Sequence, residues 1–237
     1  IPLPRSAEEA LNGPYKKEWL AAMIEDLEGK AINGMSIPID YDGREPLMKG
    51  KWTFLIKYNP DRSIKRFRAR WVAKGFSQIE GLHYHETFSP TMRNTSTRLL
   101  LASSVGVCKK TGERIQRKHI DVDKAFTHSK MDCRVIMEQP HGFATEGKAD
   151  LLLKALEGTK QAAHLWTKLN SAKMRAFGLL QSTVDPCLFY LEEGDKWLRI
   201  GVFVDDILAV FNHQKLFDRF LRFYKEQEPK VRCHEEE

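Results

Sequence analysis

Leu198-Arg199-Ile200-Gly201-Val202-Phe203-Val204-Asp205-Asp206-Ile207-Leu208-Ala209-Val210-Phe211 is apolar almost throughout, interrupted by Arg199 and by the adjacent carboxylates Asp205 and Asp206. The run is too short to span a membrane as a helix, and it reads as two buried strands joined at the acidic pair. Neighbouring carboxylates at the tight end of an apolar hairpin repel each other, and burial opposes their ionisation, so they favour a cation. A third carboxylate, Asp121, lies in another short apolar strand, Ile120-Asp121-Val122. Hard divalent ions take oxygen ligands. Two of them held by such carboxylates can activate an attacking hydroxyl and stabilise the leaving oxygen of a phosphoryl transfer. By itself an Asp-Asp turn is more often a solvated loop, so both readings stand at this point.

Outward from the hairpin, charge is the next signal. The net charge is +6, and it is concentrated. Between Lys49 and Lys74 lie Lys49, Lys51, Lys57, Arg62, Lys65, Arg66, Arg68, Arg70 and Lys74, opposed only by Asp61. Trp52, Phe54, Ile56 and Tyr58 alternate, Asn59-Pro60-Asp61-Arg62-Ser63 supplies a turn, and Phe67, Ala69, Trp71 and Ala73 alternate on the return. Strand side chains point to opposite faces in turn, so Arg66, Arg68 and Arg70 share the face away from the aromatic one. A localised basic face fits a polyanion partner; a solvated charged hairpin is the plainer reading.

The remaining segments read as helices and short strands. Ser6 and Glu9 have the spacing of a capping box, and Trp19, Leu20, Met23, Ile24 and Leu27 follow helical spacing. Ser96 is placed to cap a helix carrying Leu99, Leu100, Leu101 and Val105, and a polar loop covers Lys109 to Arg114. Gln161 to Phe177 predicts a helix stopped at Gly178, and Leu216, Phe217, Phe220, Leu221 and Tyr224 predict another. Irregular alternation of strands and helices favours an α+β class over a doubly wound sheet. Cys108, Cys133, Cys187 and Cys233 are scattered without a CxxC pair, so they read as free thiols, and no signal peptide or membrane span is evident. His83-Tyr84-His85-Glu86 reads as a polar loop, with no further ligand at metal spacing.

Asp121-Val122-Asp123-Lys124-Ala125-Phe126 and Phe203-Val204-Asp205-Asp206 resemble, in order, the two catalytic motifs of reverse transcriptases. The surrounding stretches narrow the likeness to the copia-type retrotransposon family: Lys51-Trp52-Thr53-Phe54, Arg68 to Gln78, Glu86-Thr87-Phe88-Ser89-Pro90, Gln139-Pro140-His141-Gly142-Phe143, Lys160-Gln161-Ala162 and Asp185-Pro186-Cys187-Leu188-Phe189. The resemblance implies a right-hand polymerase over residues 1–237, with an N-terminal helix at 6–28, fingers at about 40–118, an antiparallel palm sheet with packed helices at about 119–211, and no thumb after 212. It implies RNA-directed DNA synthesis with two Mg²⁺ or Mn²⁺ ions on Asp121, Asp205 and Asp206. Phe126 would lie under the incoming sugar, Gln161 against the nucleotide, and Arg70 on the triphosphate with Lys57 assisting. Arg66, Arg68 and Lys65 would hold nucleic acid.

The partners so implied are a primed RNA or DNA template, dNTPs and the rest of a Pol polyprotein with integrase and RNase H. The setting would be the cytoplasm, a virus-like particle or the nucleus. Two departures stand out: Phe203 replaces the family's usual tyrosine, and Glu157-Gly158-Thr159-Lys160-Gln161 replaces Tyr-Gly-Leu-Lys-Gln. The alternatives are a catalytically silent retrotransposon remnant that still binds nucleic acid, and another palm-type nucleotidyl transferase.

Overall fold

A computed structural model describes residues 2–109 and 112–236. In chain order the first elements are α1 (Ala7–Asn12), α2 (Lys16–Ile32), β1 (Ser36–Asp40), β2 (Leu47–Met48), β3 (Gly50–Tyr58) and β4 (Ile64–Ala73). Then come α3 (Asn94–Ser103), β5 (Gln116–Val122), β6 (Ile136–Met137), β7 (Lys148–Leu152) and α4 (Ala162–Ala176). The chain continues with β8 (Leu180–Gln181), β9 (Leu188–Glu193), β10 (Lys196–Phe203), β11 (Asp206–Phe211), α5 (Gln214–Glu226) and β12 (Cys233–Glu236). The architecture is mixed α and β. It forms two compact units, Ile1–Thr87 with Ser129–Ala162 and Phe88–His128 with Ala163–Glu237. The segment 40–118 expected as fingers therefore draws on both units.

In the first unit the basic hairpin forms as its alternation requires. Strands β3 and β4 pair antiparallel, with Trp52 opposite Trp71 and Phe54 opposite Ala69 on the packed face. Trp52, Ala69 and Trp71 join a core with Met23 of α2, Met137 of β6, Leu152 of β7 and Leu156. A small sheet in the order β1-β7-β6-β2 completes the unit; its two-residue strands leave no periodicity to read. Helix α2 is where expected, with Trp19 and Met23 buried, but Leu20 and Ile24 are exposed while Asp26 and Lys30 are buried. The reason is a backbone edge. Lys30 Nζ donates to Asp26 Oδ2 at 2.5 Å and to the Trp71 carbonyl at 2.5 Å, and the Trp71 N–H donates to the same Asp26 oxygen at 2.9 Å. The pair thus supplies the donor and acceptor that a neighbouring strand would give the free edge of β4.

At the N-terminus Ser6 Oγ accepts from Glu9 N–H at 3.1 Å, as the capping spacing predicts, while the Glu9 carboxylate accepts from the N–H of Arg5 rather than Ser6.

The second unit is built on an antiparallel sheet in the order β12-β5-β11-β10-β9-β8. Ile120, Ile200, Ile207, Ala209 and Phe211 from the sheet pack with Trp166 and Met174 of α4 and with Phe217, Phe220 and Tyr224 of α5. Helix α3 corrects one expectation. It starts at Asn94, so Ser96 lies inside it and does not cap it. Ser96 Oγ instead donates to Asp185 Oδ2 at 2.5 Å, and the same oxygen accepts from Arg93 N–H at 3.0 Å, so a carboxylate from a distant loop satisfies the helix start. Within the expected loop at 109–114, Lys110 and Thr111 lie outside the described residues, and Val107 bridges to Arg114. Among the described residues the four cysteines form no disulfide. No described helix is long and apolar enough to cross a membrane.

Candidate active site

The acidic hairpin has the geometry that its sequence suggests. Phe203 pairs with Asp206, so Val204 and Asp205 form a two-residue turn between β10 and β11. Val204 adopts φ +56°, a left-handed conformation that costs a β-branched residue energy and that tight hairpin turns demand at their first central position. Packing overdetermines this turn. Trp166 Nε1 of α4 donates to the Val204 carbonyl at 2.7 Å, and Val122 N–H of β5 donates to the Asp205 carbonyl at 3.1 Å. Both turn carbonyls are therefore held, one by a buried indole and one by the strand that carries Asp121.

Strand register then aligns the side chains. Asp206 of β11 is directly opposite Asp121 of β5, and Asp121 is directly opposite His234 of β12. The row Asp206, Asp121, His234 runs across three adjacent strands on one face. His119, two residues before Asp121 and on the same face, has its Nε2 3.4 Å from Asp206 Oδ1. His234 sits between two carboxylates, with Nε2 3.7 Å from Asp121 Oδ2 and Nδ1 3.7 Å from Asp123 Oδ1. Among the described residues, Asp121, Asp123 and His234 are the group whose donor atoms all lie within 4.8 Å of one another. Asp205 and Asp206 are outside that closest trio, although their backbone is tied to the same strand.

Sequence reasoning left out three members of this neighbourhood. Asp123 was visible inside the first motif, and His119 could have been found from the two-residue period of β5. His234 carries no local signal, because its place depends on β12 pairing with β5. Phe126 stands on the short helical turn Ala125–His128 that follows β5, partly buried against the sheet core. His128 Nε2 lies 2.9 Å from the Asp123 carbonyl and ties that turn back to the strand end.

In the first unit, Lys57 pairs directly with Arg66, Leu55 with Arg68 and Thr53 with Arg70 on the outward face of the hairpin. Lys57 and Arg66 set two like charges opposite each other across the ladder, an arrangement that destabilises a hairpin. Lys65 is exposed near the turn. Arg70 Nη1 lies 3.4 Å from Glu157 Oε1. Gln161 is fully buried: its Nε2 donates to the His83 carbonyl at 2.7 Å and to Asp132 Oδ1 at 3.3 Å, and its Oε1 accepts from Gln78 Nε2 at 3.0 Å. A nucleotide contact by Gln161 would require some of these bonds to be exchanged. Thr159 is also buried, its hydroxyl donating to the Leu156 carbonyl at 2.8 Å. His83 is a loop residue whose Nδ1 accepts from Ile79 N–H at 3.0 Å.

Residues 36–228 match the family profile described as reverse transcriptase (RNA-dependent DNA polymerase). The Retrovirus-related Pol polyprotein from transposon RE1 of Arabidopsis thaliana is 34% identical over 237 residues, 98% of this chain and 16% of its own length. That from transposon TNT 1-94 of Nicotiana tabacum is 32% identical over 212 residues, 87% of this chain and 15% of its own. The chain thus spans about a sixth of the length of these curated relatives. A solved foamy viral protease-reverse transcriptase in complex with double-stranded DNA aligns at a TM-score of 0.46 and 13% identity, over 90% of this chain and 30% of that one.

Proposed function

The chain belongs to the reverse transcriptase (RNA-dependent DNA polymerase) family, with Pol polyproteins of plant copia-type transposons as relatives, and on that premise we propose that it is the core of an RNA-directed DNA polymerase. It would add dNTPs to a primer 3′-hydroxyl, with the second unit as palm and the hairpin of the first as part of the fingers. The observation that carries this reading is the register that sets Asp206 opposite Asp121, with Asp205 in a turn bonded to the same strand.

Carboxylate oxygens suit Mg²⁺ or Mn²⁺, so Asp121, Asp205 and Asp206 would hold a pair of such ions. Bound there, the ions would activate the primer hydroxyl and neutralise the triphosphate. Trp166 and Val122 fix the turn, so the carboxylates keep their positions without reorganising at each addition. Phe126, partly buried on the turn after Asp121, would exclude a 2′-hydroxyl by shape. Arg70, with Lys57, would take triphosphate oxygens, and Arg66, Arg68 and Lys65 would take template or primer phosphates. Gln161 enters as a residue that positions the Gln78–His83 loop.

A second reading, nucleic-acid binding without turnover, is favoured by the pairing of Arg70 with Glu157. Primer extension on poly(rA)·oligo(dT) with Mg²⁺ or Mn²⁺ separates the two. A ladder of added nucleotides supports the polymerase. A shifted primer-template complex without extension supports the silent binder.

A further inference from the structure

The backbone of Glu157 is tied to the end of the basic hairpin. Its carbonyl accepts from the Ala73 N–H at the end of β4, at 2.8 Å. The next residue, Gly158, has φ +92° and packs so closely that a Cβ there would stand 2.1 Å from the Ala73 carbonyl oxygen, and a Cβ on Gly75 would stand 2.1 Å from the Gly158 carbonyl oxygen. This clamp fixes the Glu157 backbone at the end of β4, and from there its carboxylate reaches Arg70, three residues up the strand. Among the described residues, neither Arg66 nor Arg68 has an acidic partner within salt-bridge distance, so the fixed counter-charge falls on Arg70 of the three.

The pair itself is loose. A separation of 3.4 Å exceeds a normal hydrogen bond, the contact is through one nitrogen rather than a bidentate fork, and both side chains are partly exposed. A triphosphate can offer Arg70 a bidentate, charge-assisted contact that this geometry does not. The carboxylate, carried on that fixed backbone, would still repel the incoming anion at short range.

We propose that Glu157 competes for Arg70 and so sets how tightly the hairpin holds phosphate-bearing ligands. The inference rests on the reading of Arg70 as a triphosphate contact. Glu157→Gln removes the charge and keeps the shape and the backbone clamp.

The test is calorimetric titration of the full chain with tripolyphosphate, and then with dTTP, at low and high salt. Wild type, E157Q, E157D and R70Q are compared, with folding checked by circular dichroism. Removing one like charge a few ångströms from the anion is expected to tighten binding roughly threefold or more at low salt, with the gain shrinking at high salt, while E157D keeps the wild-type affinity. A merely structural role would weaken binding instead. If R70Q weakens binding but E157Q leaves it unchanged or weaker, the inference about Glu157 is overturned by itself. If R70Q binds as wild type does, the assignment of Arg70 falls, and this inference falls with it.

Discussion

Asp185 illustrates how much a single buried carboxylate can organise. Its Oδ2 holds the start of α3 through Arg93 N–H and Ser96 Oγ, and its Oδ1 accepts from Cys187 N–H at 3.0 Å. Burial by itself would raise its pKa, but the hydrogen bonds from Ser96, Arg93 and Cys187 outweigh it and hold the carboxyl below its ordinary value. A folded-state pKa below the unfolded one contributes stability that is present above the unfolded value and lost as pH falls through the folded one. Asp185→Asn should therefore cost about 1–3 kcal/mol at pH 7, and its deficit relative to wild type should shrink below about pH 4. Urea unfolding at both pH values measures this; a deficit of equal size at both would contradict the role. From sequence, Ser96 was the evident cap, because Ser and Asp alike satisfy helix starts and only the tertiary structure brings Asp185 to this one. The aspartates of the acidic hairpin were legible at this scale because charge inside an apolar run is itself a signal. His234 was not, because it reaches Asp121 through a strand pairing that no local pattern announces.

Among the elements, the basic hairpin was the most legible, since a period of two separates its aromatic and arginine faces without help from the rest of the chain. Helix α2 was legible in place and partly in orientation. Its apolar spacing pointed to Trp19, Met23 and Leu27, which do face the core, but also to the exposed Leu20 and Ile24, whereas the β4 edge requires the polar Asp26 and Lys30 to face inward. Removing one member of a buried, hydrogen-bonded ion pair leaves the other charge stranded, so Asp26→Ala or Lys30→Ala should each cost about 3–5 kcal/mol. Replacing both with apolar residues should cost less than the sum, and denaturant unfolding of the two single variants and the double variant measures the coupling. Additive losses would show that the residues do not act as a unit. The outward face of the same hairpin makes a different prediction. If Arg68 contacts a phosphate, Arg68→Gln should weaken primer-template binding at low salt and flatten the log-log salt dependence by roughly one unit. Weaker binding with an unchanged slope would place Arg68 outside the interface.

Across the whole molecule, the mixed α and β class followed from the irregular order of elements, and the two-unit division did not, because the chain enters each unit twice. The short strands β2 and β6 escaped the sequence for a related reason: two-residue strands are defined by their partners and not by their own composition. Family membership rests on a match over residues 36–228 and on relatives about a third identical, yet the chain corresponds to about a sixth of those proteins. We propose that Asp121 and Asp205 are ligands of the catalytic ions. The most direct measurement is the single-turnover rate of dTTP addition to oligo(dT) on poly(rA) by wild type, Asp121→Asn and Asp205→Asn, each verified as folded. Since even residues that only orient metal ligands are worth about 10–100-fold, loss of a ligand should slow addition by at least about 100-fold in both variants. Addition by either variant at a rate near that of wild type would contradict the claim.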